Sequence, residues 1–322
     1  MKLPLFPCFA AAVTAGLLAS TASAQTVKIT PLGSHAGEFC AFDRALVLED
    51  PNGTRLLYDA GRTVRGADDP RLGNIDAVLL SHVHGDHLGD RHQPSPNAGT
   101  CGKPDVSVAD TPESGTVKIT VAKKATLIVG GEMASFFAKK VANAGGEASQ
   151  VQLARFGGER DVKGVTVYSV PAVHSNGLSP AFLDGDHAKA LEESGLTAYL
   201  GPPGGYVVEF TNGLTVYLSG DTGHTAEQET VVRRRFGAEL AVMNIGGVFT
   251  TGPTEAAFVI NELVQPTSVI ASHANEEATS GGKLKEGTKT AAFAAASNVP
   301  VLLPLSDRTM EFDAGGTCVA GC

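Results

Sequence analysis

The feature that most constrains this chain is the run SHVHGDH at residues 81–87, which places three histidines and an aspartate within six residues. The run directly follows an apolar segment, 77–80, that is typical of a buried strand. Core packing gives no reason for so many imidazoles on one turn. Imidazole nitrogens and carboxylate oxygens are instead the ligands of borderline divalent metals such as zinc. The run therefore predicts a turn that binds metal, with further ligands supplied from elsewhere in the chain.

The spacing within this run indicates two metal sites side by side. His82 and His84 are separated by one residue, so the turn can aim both rings at one point. Asp86 and His87 are adjacent, so they must diverge from that direction and serve a neighbouring site. Gly85 permits the tight backbone path between the two pairs. We therefore expect two ions, each with protein ligands and an open position for water, as catalytic zinc requires.

The N-terminal residues predict export. A positively charged start is followed by an apolar stretch, 9–18, that is too short to span a bilayer, and by a small-residue cleavage motif at 22–24. We expect residues 1–24 to be a cleavable signal peptide, with a buried N-terminal helix as the alternative. The mature chain, 25–322, would be a single domain without a transmembrane segment, secreted or periplasmic.

The cysteines agree with an oxidising compartment. Cys8 would leave with the signal peptide, which leaves the even number of four. Four cysteines allow three pairings. We favour Cys40–Cys101, which would tie two long loops, and Cys318–Cys322, which would close a small C-terminal loop; metal binding by a cysteine is the alternative.

Charge and composition narrow the classes of partner. The formal net charge is −9, and the one dense cationic cluster, residues 233–235, lies in a helix-like stretch. An acidic chain is a poor candidate for electrostatic binding of nucleic acid. We therefore expect a small-molecule substrate and no nucleic acid, and the oligomeric state stays open.

Secondary-structure patterns predict an α/β fold. Short β-branched segments bounded by turn residues predict strands at 27–30, 45–48, 55–58, 77–80, 126–129, 165–170, 206–210, 214–218, 240–244, 268–271 and 299–303. Helical patterns lie at 133–142, 226–236, 254–263 and 288–296. Early strands are consecutive and later strands alternate with helices, which suits sheets covered by helices on the outside.

Two segments, 91–125 and 175–205, resist assignment. Both are rich in proline, glycine, serine and aspartate, and both follow candidate metal ligands. Long loops in a compact domain are commonly functional. We expect them to be inserted loops that form walls or lids of an active site; mobile surface insertions are the alternative.

Five motifs in order resemble the metallo-β-lactamase superfamily. The histidine run resembles its HxHxDH signature, and the further motifs are LYDAG at 57–61, VHS at 173–175, SGDTG at 219–223 and IASH at 270–273. The resemblance covers roughly residues 27–313. NIGGVFTTGP at 244–253 resembles the branch of UlaG-like ascorbate-phosphate lactonases and related UPF0173-type hydrolases. The resemblance implies an αββα four-layer sandwich, with two mixed sheets face to face and helices outside.

The resemblance also implies seven metal ligands. The first ion would be held by His82, His84 and His174, and the second by Asp86, His87 and His273. Asp221 would bridge the two ions. These ligands imply two divalent ions; the donor types favour zinc, with manganese and iron(II) as alternatives.

Four further residues are candidates for supporting roles. In the family, the carboxylate at the position of Asp59 lies behind the metal ligands and orients one of them or a loop, and a turn residue is the alternative. His224 follows Asp221 by three residues, so it could donate a proton to a leaving group, or it could lie on the surface. His35 lies where a histidine of the same branch approaches the site. Ser81 is expected to support the turn.

The predicted chemistry is hydrolysis. Two ions sharing a water lower its pKa to about 7, which supplies hydroxide at neutral pH. Asp86 or Asp221 would take the proton, and the leaving group would depart to the second ion, to water or to His224. His84 stands where the oxygen-reducing di-iron branch has an acid, which favours hydrolysis over redox chemistry.

The preferred substrate is a small ester or lactone, and three alternatives stay open. A phosphodiesterase, including a phospholipase-type enzyme, would need a cation that Lys103, Lys118 or Lys189 could supply. β-Lactam hydrolysis is less favoured, because the secreted β-lactamases of the superfamily lack the aspartate at position 221. A metal-binding module without turnover is also less favoured, because the ligand set is complete. The resembled lactonases are cytoplasmic and act on a sugar phosphate, whereas this chain has a predicted export signal and no evident phosphate cradle.

Overall fold

Two mixed β-sheets packed face to face form the centre of the molecule. A computed structural model describes Met1 and residues 25–322. The predicted signal peptide, apart from Met1, lies outside the described residues, as does Cys8. Within the described part, no helix is both long and apolar enough to cross a membrane.

The first sheet has eight strands that come mostly from the N-terminal half. Its order across the sheet is Val151–Leu153, Thr126–Val129, Ala77–Leu79, Arg55–Tyr58, Leu46–Glu49, Val27–Pro31, Met310–Phe312 and Cys318–Ala320. The four strands from Val151–Leu153 to Arg55–Tyr58 are parallel to one another, and the remaining pairs are antiparallel.

The second sheet has seven strands and completes the sandwich. Its order is Glu159–Val162, Val165–Pro171, Gly204–Glu209, Thr215–Leu218, Leu240–Asn244, Ser268–Ser272 and Val301–Leu302. The first three pairs are antiparallel and the last three parallel.

Each central strand buries both faces. In Arg55–Tyr58, Leu56 and Tyr58 point into the core between the sheets, and Leu57 points to the outer core under the helices. Thr215–Leu218 repeats the pattern in the second sheet, with Tyr217 facing outward to the other helical layer. Successive side chains of a strand alternate between faces, so these apolar runs require helices outside both sheets. The predicted αββα sandwich is confirmed.

Helices form the two outer layers. Those over the first sheet are Gly115–Lys123 and Met133–Asn143. Those over the second sheet are Gln228–Phe236, Pro253–Phe258, Val259–Val264 and Lys289–Ala296, of which Gln228–Phe236 and Val259–Val264 are π-helical. All four predicted helical segments are helices, and the predicted strand at 299–303 is reduced to Val301–Leu302.

The two unassigned segments contain more secondary structure than the loops that their composition predicted. In 91–125, helix Gly115–Lys123 packs on the first sheet and begins at Ser114, whose Oγ accepts the N–H of Val117 at 3.2 Å. The sequence did not predict this helix because its β-branched residues are weak helix formers. Intrinsic propensity is a weak guide where one face of a helix is buried. Segment 175–205 contains helix Gly185–Glu193, which buries no side chain. Short hairpin strands fill much of the rest: Arg91–His92, Gly99–Thr100, Lys103–Pro104, Val108–Ala109, Gly177–Leu178 and Ala198–Tyr199.

Both favoured disulfides are present. Cys40 is bonded to Cys101, and Cys318 to Cys322. The first bond joins two loops that lie 61 residues apart in sequence, and the second closes a short loop at the C-terminus.

Candidate metal centre

The predicted metal ligands meet at one edge of the sandwich, because the loops and the short helix Gly85–Leu88 that carry them follow strand ends. His82 comes just after Ala77–Leu79 of the first sheet. His174, Asp221 and His273 come just after three strands of the second sheet, Val165–Pro171, Thr215–Leu218 and Ser268–Ser272. The two sheets therefore contribute opposite halves of one cluster.

The first ligand set consists of three imidazoles. His82 Nε2 lies 3.0 Å from His84 Nδ1, and His174 Nε2 lies 3.2 Å from the same His84 nitrogen. Tetrahedral zinc with Zn–N bonds of about 2.0–2.1 Å places its ligand nitrogens about 3.3–3.4 Å apart. Three ring nitrogens that converge so closely fit one zinc-sized ion.

The second ligand set combines two imidazoles with a carboxylate. His273 Nε2 lies 3.3 Å from Asp86 Oδ2, and His87 Nε2 lies 3.8 Å from the same oxygen. The rings of His87 and His273 are nearly parallel, with centroids 5.3 Å apart. All three side chains offer one ligand atom each within 4.8 Å of one another, so they can hold a second ion.

Asp221 lies between the two sets. Its Oδ2 is 3.1 Å from His273 Nε2, and its Oδ1 is 3.3 Å from His87 Nε2. The same Oδ2 is 3.9 Å from His82 Nε2 and 3.7 Å from His174 Nε2. This carboxylate therefore reaches both sets and stands closer to the second.

Several polar atoms of the cluster have no hydrogen-bond partner within the protein. His87 Nε2, His273 Nε2 and Asp221 Oδ1 are buried, and none of them forms a hydrogen bond among the described residues. A buried polar atom without a partner is costly. Because all three atoms point into the same cluster, a cation there would satisfy them together, and the donor set fits divalent metal.

The charges of the cluster oppose one another strongly. Burial alone would lower the pKa of His87, but the negative charges of Asp221, Asp86 and Asp59 raise it from 6.5 to about 10. Burial would raise the pKa of Asp221, yet the nearby His87 and His273 hold it well below its usual range. The three carboxylates around His87 therefore favour a positive charge at this position.

The first ligand set has different pKa shifts from the second, because all three of its members are imidazoles. Burial is the main cause that lowers the pKa of His82 well below 6.5, and the neighbouring His87 adds to it. Burial and neighbouring imidazoles also lower the pKa values of His84 and His174. Neutral imidazole is the form that binds metal, so these three rings are prepared for binding at neutral pH.

Asp59 lies behind the cluster and holds two of its members. Its Oδ2 accepts hydrogen bonds from His87 Nδ1 at 2.8 Å and from Ser81 Oγ at 2.7 Å, while Oδ1 accepts the Ser81 N–H at 2.9 Å. Ser81 Oγ also lies 3.0 Å from His82 Nδ1. One buried carboxylate therefore orients His87 directly and His82 through Ser81, as outer hydrogen bonds to metal-binding histidines commonly do.

Sequence reasoning missed the role of Tyr58. Its hydroxyl accepts the backbone N–H of Gly220 at 2.8 Å and thereby connects the first sheet to the turn that carries Asp221. Tyr58 is buried at the end of its strand. A tyrosine directly after two buried leucines of its strand was the available signal, because a buried hydroxyl needs a partner.

Two arginines also escaped notice, although both line the cavity in front of the cluster. Arg44 Nε donates to Asp86 Oδ2 at 3.0 Å, and its Nη2 donates to Asn275. Arg62 forms two parallel hydrogen bonds to Asp90, at 2.7 and 2.8 Å. Each guanidinium is therefore already paired with a carboxylate.

The cavity has a volume of about 560 Å³, within the range of small-molecule sites. Besides the cluster, its wall is formed mainly by the segment 41–44 and by Phe249. The two segments that were expected to form walls contribute only Gly102 and Ser175. Most of the wall thus comes from other loops than those the sequence indicated.

Two predicted residues stand apart from the cavity. His224 is exposed, and its ring packs edge-on against Phe258 with centroids 6.1 Å apart. The Gly223 N–H bonds to the Val173 carbonyl, and beyond this turn the chain leaves the site. His35 contacts Ser34 and the Gly99 carbonyl, and neither contact involves a metal-ligand candidate.

The lysines considered for phosphate binding also lie elsewhere. Lys118 pairs with the buried Asp110 at 2.9 Å, and Lys189 lies 3.7 Å from Glu193 on an exposed helix. Lys103 is exposed in a hairpin beside Gly102. None of the three lines the cavity.

Comparisons with known proteins match the part of the chain that carries this site. A family described as "Beta-lactamase superfamily domain" matches residues 54–274, which include all seven ligand candidates. A UPF0173 metal-dependent hydrolase of Pelotomaculum thermopropionicum is 30% identical over 251 residues, which cover 77% of this chain and 85% of that protein. A UPF0173 metal-dependent hydrolase of Cupriavidus taiwanensis is 27% identical over 255 residues, which cover 76% and 73%.

A solved structure shows the same fold. Igni18, a metallo hydrolase from Ignicoccus hospitalis, superimposes with a TM-score of 0.57 and 19% identity, covering 89% of this chain and 99% of its own.

Proposed function

This chain belongs to the β-lactamase superfamily and, within it, to the UPF0173 metal-dependent hydrolases, and from this premise we propose that it is an exported enzyme with two divalent ions that hydrolyses a small ester or lactone. Zinc is favoured among the candidate ions, because the first ligand set is rich in imidazole. Manganese and iron(II) are the alternatives.

The observation that carries the proposal is the position of Asp221 between the two ligand sets. Its two oxygens face His87, His273 and, at longer range, the imidazoles of the first set. The cluster also opens on a cavity, because Asp86, His84 and Asp221 all line it. Such a carboxylate fits a bridge between two ions that share one substrate.

The residues of the chain divide the work of hydrolysis. The bound ions would supply the charge that lowers the pKa of a shared water to about 7 and polarises the carbonyl oxygen of the substrate. Asp86 is the carboxylate more open to the cavity, with 24% of its side chain exposed against 4% for Asp221. It is placed to accept the proton of the attacking water and to return it to the leaving alcohol.

Arg44 positions Asp86, the residue that we propose to transfer the proton. Burial would raise the pKa of Asp86, but the charge of Arg44, followed by that of His87, holds it well below its usual range. Arg44 also bonds to Asn275 Oδ1, and its side chain is almost fully buried, which fixes the geometry around Asp86. Since His224 lies outside the cavity, we do not retain it as the proton donor.

The cavity favours a neutral carbonyl substrate over a phosphodiester. Phosphate recognition calls for an arginine or lysine that is free to donate paired hydrogen bonds. In the described cavity wall, Arg44 is engaged by Asp86 and Asn275, and Arg62 is engaged by Asp90 on two nitrogens. An ester or lactone needs no such charge, which supports the first assignment.

Metal analysis followed by a substrate panel tests the proposal. We expect two equivalents of zinc per chain in protein purified from the exported fraction, and an N-terminus at Gln25. The zinc-loaded enzyme should hydrolyse lactones or p-nitrophenyl esters and leave bis-p-nitrophenyl phosphate largely intact. Phosphodiester turnover without ester turnover would favour the alternative, and a single tightly bound ion would contradict the two-ion site.

A further inference from the structure

The loop of residues 246–252 is fixed at its base. It follows strand Leu240–Asn244 and is held by Thr251, whose N–H donates to the Thr222 carbonyl at 3.1 Å. Asn244 Nδ2 donates to Thr251 Oγ1 at 2.8 Å and to the same Thr222 carbonyl at 3.0 Å. Because Thr222 directly follows Asp221, the base of this loop is attached to the proposed metal-bridging turn.

The tip of the loop has a strained backbone. Val248 has φ +53°, and the Phe249 N–H donates to the Gly247 carbonyl at 2.5 Å, which forms a three-residue turn centred on Val248. Positive φ is a genuine outlier for a β-branched residue, and such tight turns are rare. Strained backbone persists where the surrounding structure enforces it, and it clusters at ligand clamps and active sites.

The same tip exposes two large apolar side chains in succession. Val248 is 96% exposed and Phe249 is 72% exposed. Phe249 nevertheless lines the cavity in front of the metal cluster, together with the half-buried Phe42. A loop that is anchored at its base therefore places an aromatic ring at the mouth of the cavity, partly in solvent.

The remaining wall offers little that could select a charged group. The two cavity arginines are paired with Asp86 and Asp90, and their other neighbours in the wall include Ala41 and Gly102. Of the other wall residues, Ser175 and Asn275 are polar, and Phe42 and Phe249 are the large apolar side chains, so we expect contact away from the reacting bond to depend mainly on the two phenylalanines. Apolar contact of this kind requires an apolar partner.

We propose that the substrate carries an apolar acyl or aryl group beside the bond that is hydrolysed, and that Phe249 covers this group. This inference rests on the proposed function, since it identifies the substrate class of the same site. Phe249 is then the residue that determines chain-length specificity, and the anchored loop keeps its ring in place over the cavity.

A kinetic series measures this specificity. Zinc-loaded parent enzyme is assayed with p-nitrophenyl acetate, butyrate, hexanoate and octanoate. Burial of one methylene group can raise kcat/KM by as much as about fourfold. We expect kcat/KM to rise along the series by up to that factor for each added methylene. Phe249→Ala should flatten the rise, with the largest loss of kcat/KM for octanoate, whereas Phe249→Leu should restore most of the chain-length dependence.

Phe258 provides the matched control. It is also an exposed phenylalanine, at 46%, but it packs against His224 and does not line the cavity. Phe258→Ala should keep the chain-length dependence of the parent. The assignment of Phe249 would be overturned if kcat/KM rose equally with chain length in the parent and in Phe249→Ala. It would also be overturned if Phe258→Ala lost this rise to the same extent as Phe249→Ala.

A fluorescence measurement tests the contact without turnover. The chain contains no tryptophan, so Phe249→Trp introduces a single reporter. Octanamide should shift its emission to shorter wavelength, whereas acetamide should not, and Phe258→Trp should respond to neither. If no ester or lactone is hydrolysed but this shift is seen, the proposed function fails and the apolar site stands. If esters are hydrolysed and octanamide leaves the emission unchanged, the apolar site fails and the proposed function stands.

Discussion

The hydroxyl of Tyr58 lies 2.8 Å from the backbone nitrogen of Gly220 and accepts its hydrogen bond across the interface of the two sheets. The next residue along the chain, Asp59, holds His87 and Ser81. Two consecutive residues at one strand end therefore support both halves of the metal cluster. Gly220 itself has φ +60°, and a Cβ there would lie 2.6 Å from the Gly204 carbonyl oxygen, so the turn before Asp221 has little freedom.

Removing the Tyr58 hydroxyl should weaken metal binding. Tyr58→Phe leaves the N–H of Gly220 buried without a partner, which costs about 1–3 kcal/mol, and frees the Asp221 turn. We expect lower stability in urea and lower zinc affinity by titration. Tyr217→Phe is the control, because its hydroxyl accepts from Gln228 in the outer core of the second sheet. Equal zinc affinity in both variants would contradict a positioning role for Tyr58.

Replacing Asp59 should disturb the orientation of two histidines. Asp59→Asn removes the charge that holds His87 Nδ1 and, through Ser81, His82. Loss of such a hydrogen bond typically lowers metal affinity about 10–100-fold. Asp50→Asn is the matched control, since Asp50 is also buried but binds Thr211 in a turn that contains no ligand candidate. If Asp59→Asn binds zinc as tightly as the parent, this carboxylate stabilises only the turn and does not orient the metal ligands.

The resemblance of five motifs was sufficient to predict the sandwich, and it also implied which ligand candidates belong together. His82 directly follows a short apolar strand, and His273 follows another, so their positions depend on strand ends that local patterns reveal. Contacts between distant loops were beyond such patterns. Arg44 meets Asn275 across 231 residues, and neither stands in a recognisable motif. Proximity in sequence also misled, because His224 lies three residues from Asp221 but packs on Phe258.

The two disulfides should differ in their contribution to stability. Cys40–Cys101 closes a loop with a sequence separation of 61, and Cys318–Cys322 one of 4. Loop-closure entropy then assigns about 4 kcal/mol to the first and about 2 kcal/mol to the second. Replacing each pair by alanine and measuring urea unfolding checks the order.

The first disulfide should also matter for the cavity. Ala41 and Gly102, the residues that follow its two cysteines, both line the wall, and the Ala41 N–H bonds to the Cys101 carbonyl. We expect KM to rise in the Cys40/Cys101 double variant and to stay constant in the Cys318/Cys322 variant. Equal KM values in the two variants would show that the wall does not depend on the bond.

Metal uptake should release a proton from His87. Its pKa is about 10 in the metal-free protein, where burial is outweighed by Asp221, Asp86 and Asp59, so at pH 8 the ring is protonated and must become neutral to bind metal. Zinc affinity of the second set should therefore rise about tenfold per pH unit up to about pH 10. Calorimetry in two buffers of different ionisation enthalpy measures the proton released.

The same pKa sets the pH dependence of metal-free stability. A histidine whose pKa rises from 6.5 to about 10 on folding stabilises the protein fully below pH 6.5. This contribution is lost as the pH rises through about 10. Urea unfolding of metal-free protein between pH 6 and 10 should show that loss, and Asp59→Asn should reduce it. A stability that is flat over this range would contradict the charged form of His87.

Asp221→Asn tests the bridge itself. The substitution keeps the size of the side chain but removes the charge that faces both ligand sets, His87 and His273 at 3.3 and 3.1 Å and His174 at 3.7 Å. We expect loss of most activity and weaker binding of at least one ion, measured as zinc stoichiometry and as turnover at saturating zinc. Asp186→Asn, on the exposed helix Gly185–Glu193, should behave like the parent. A variant at position 221 that retains two ions and parental turnover would exclude a bridging role for this carboxylate.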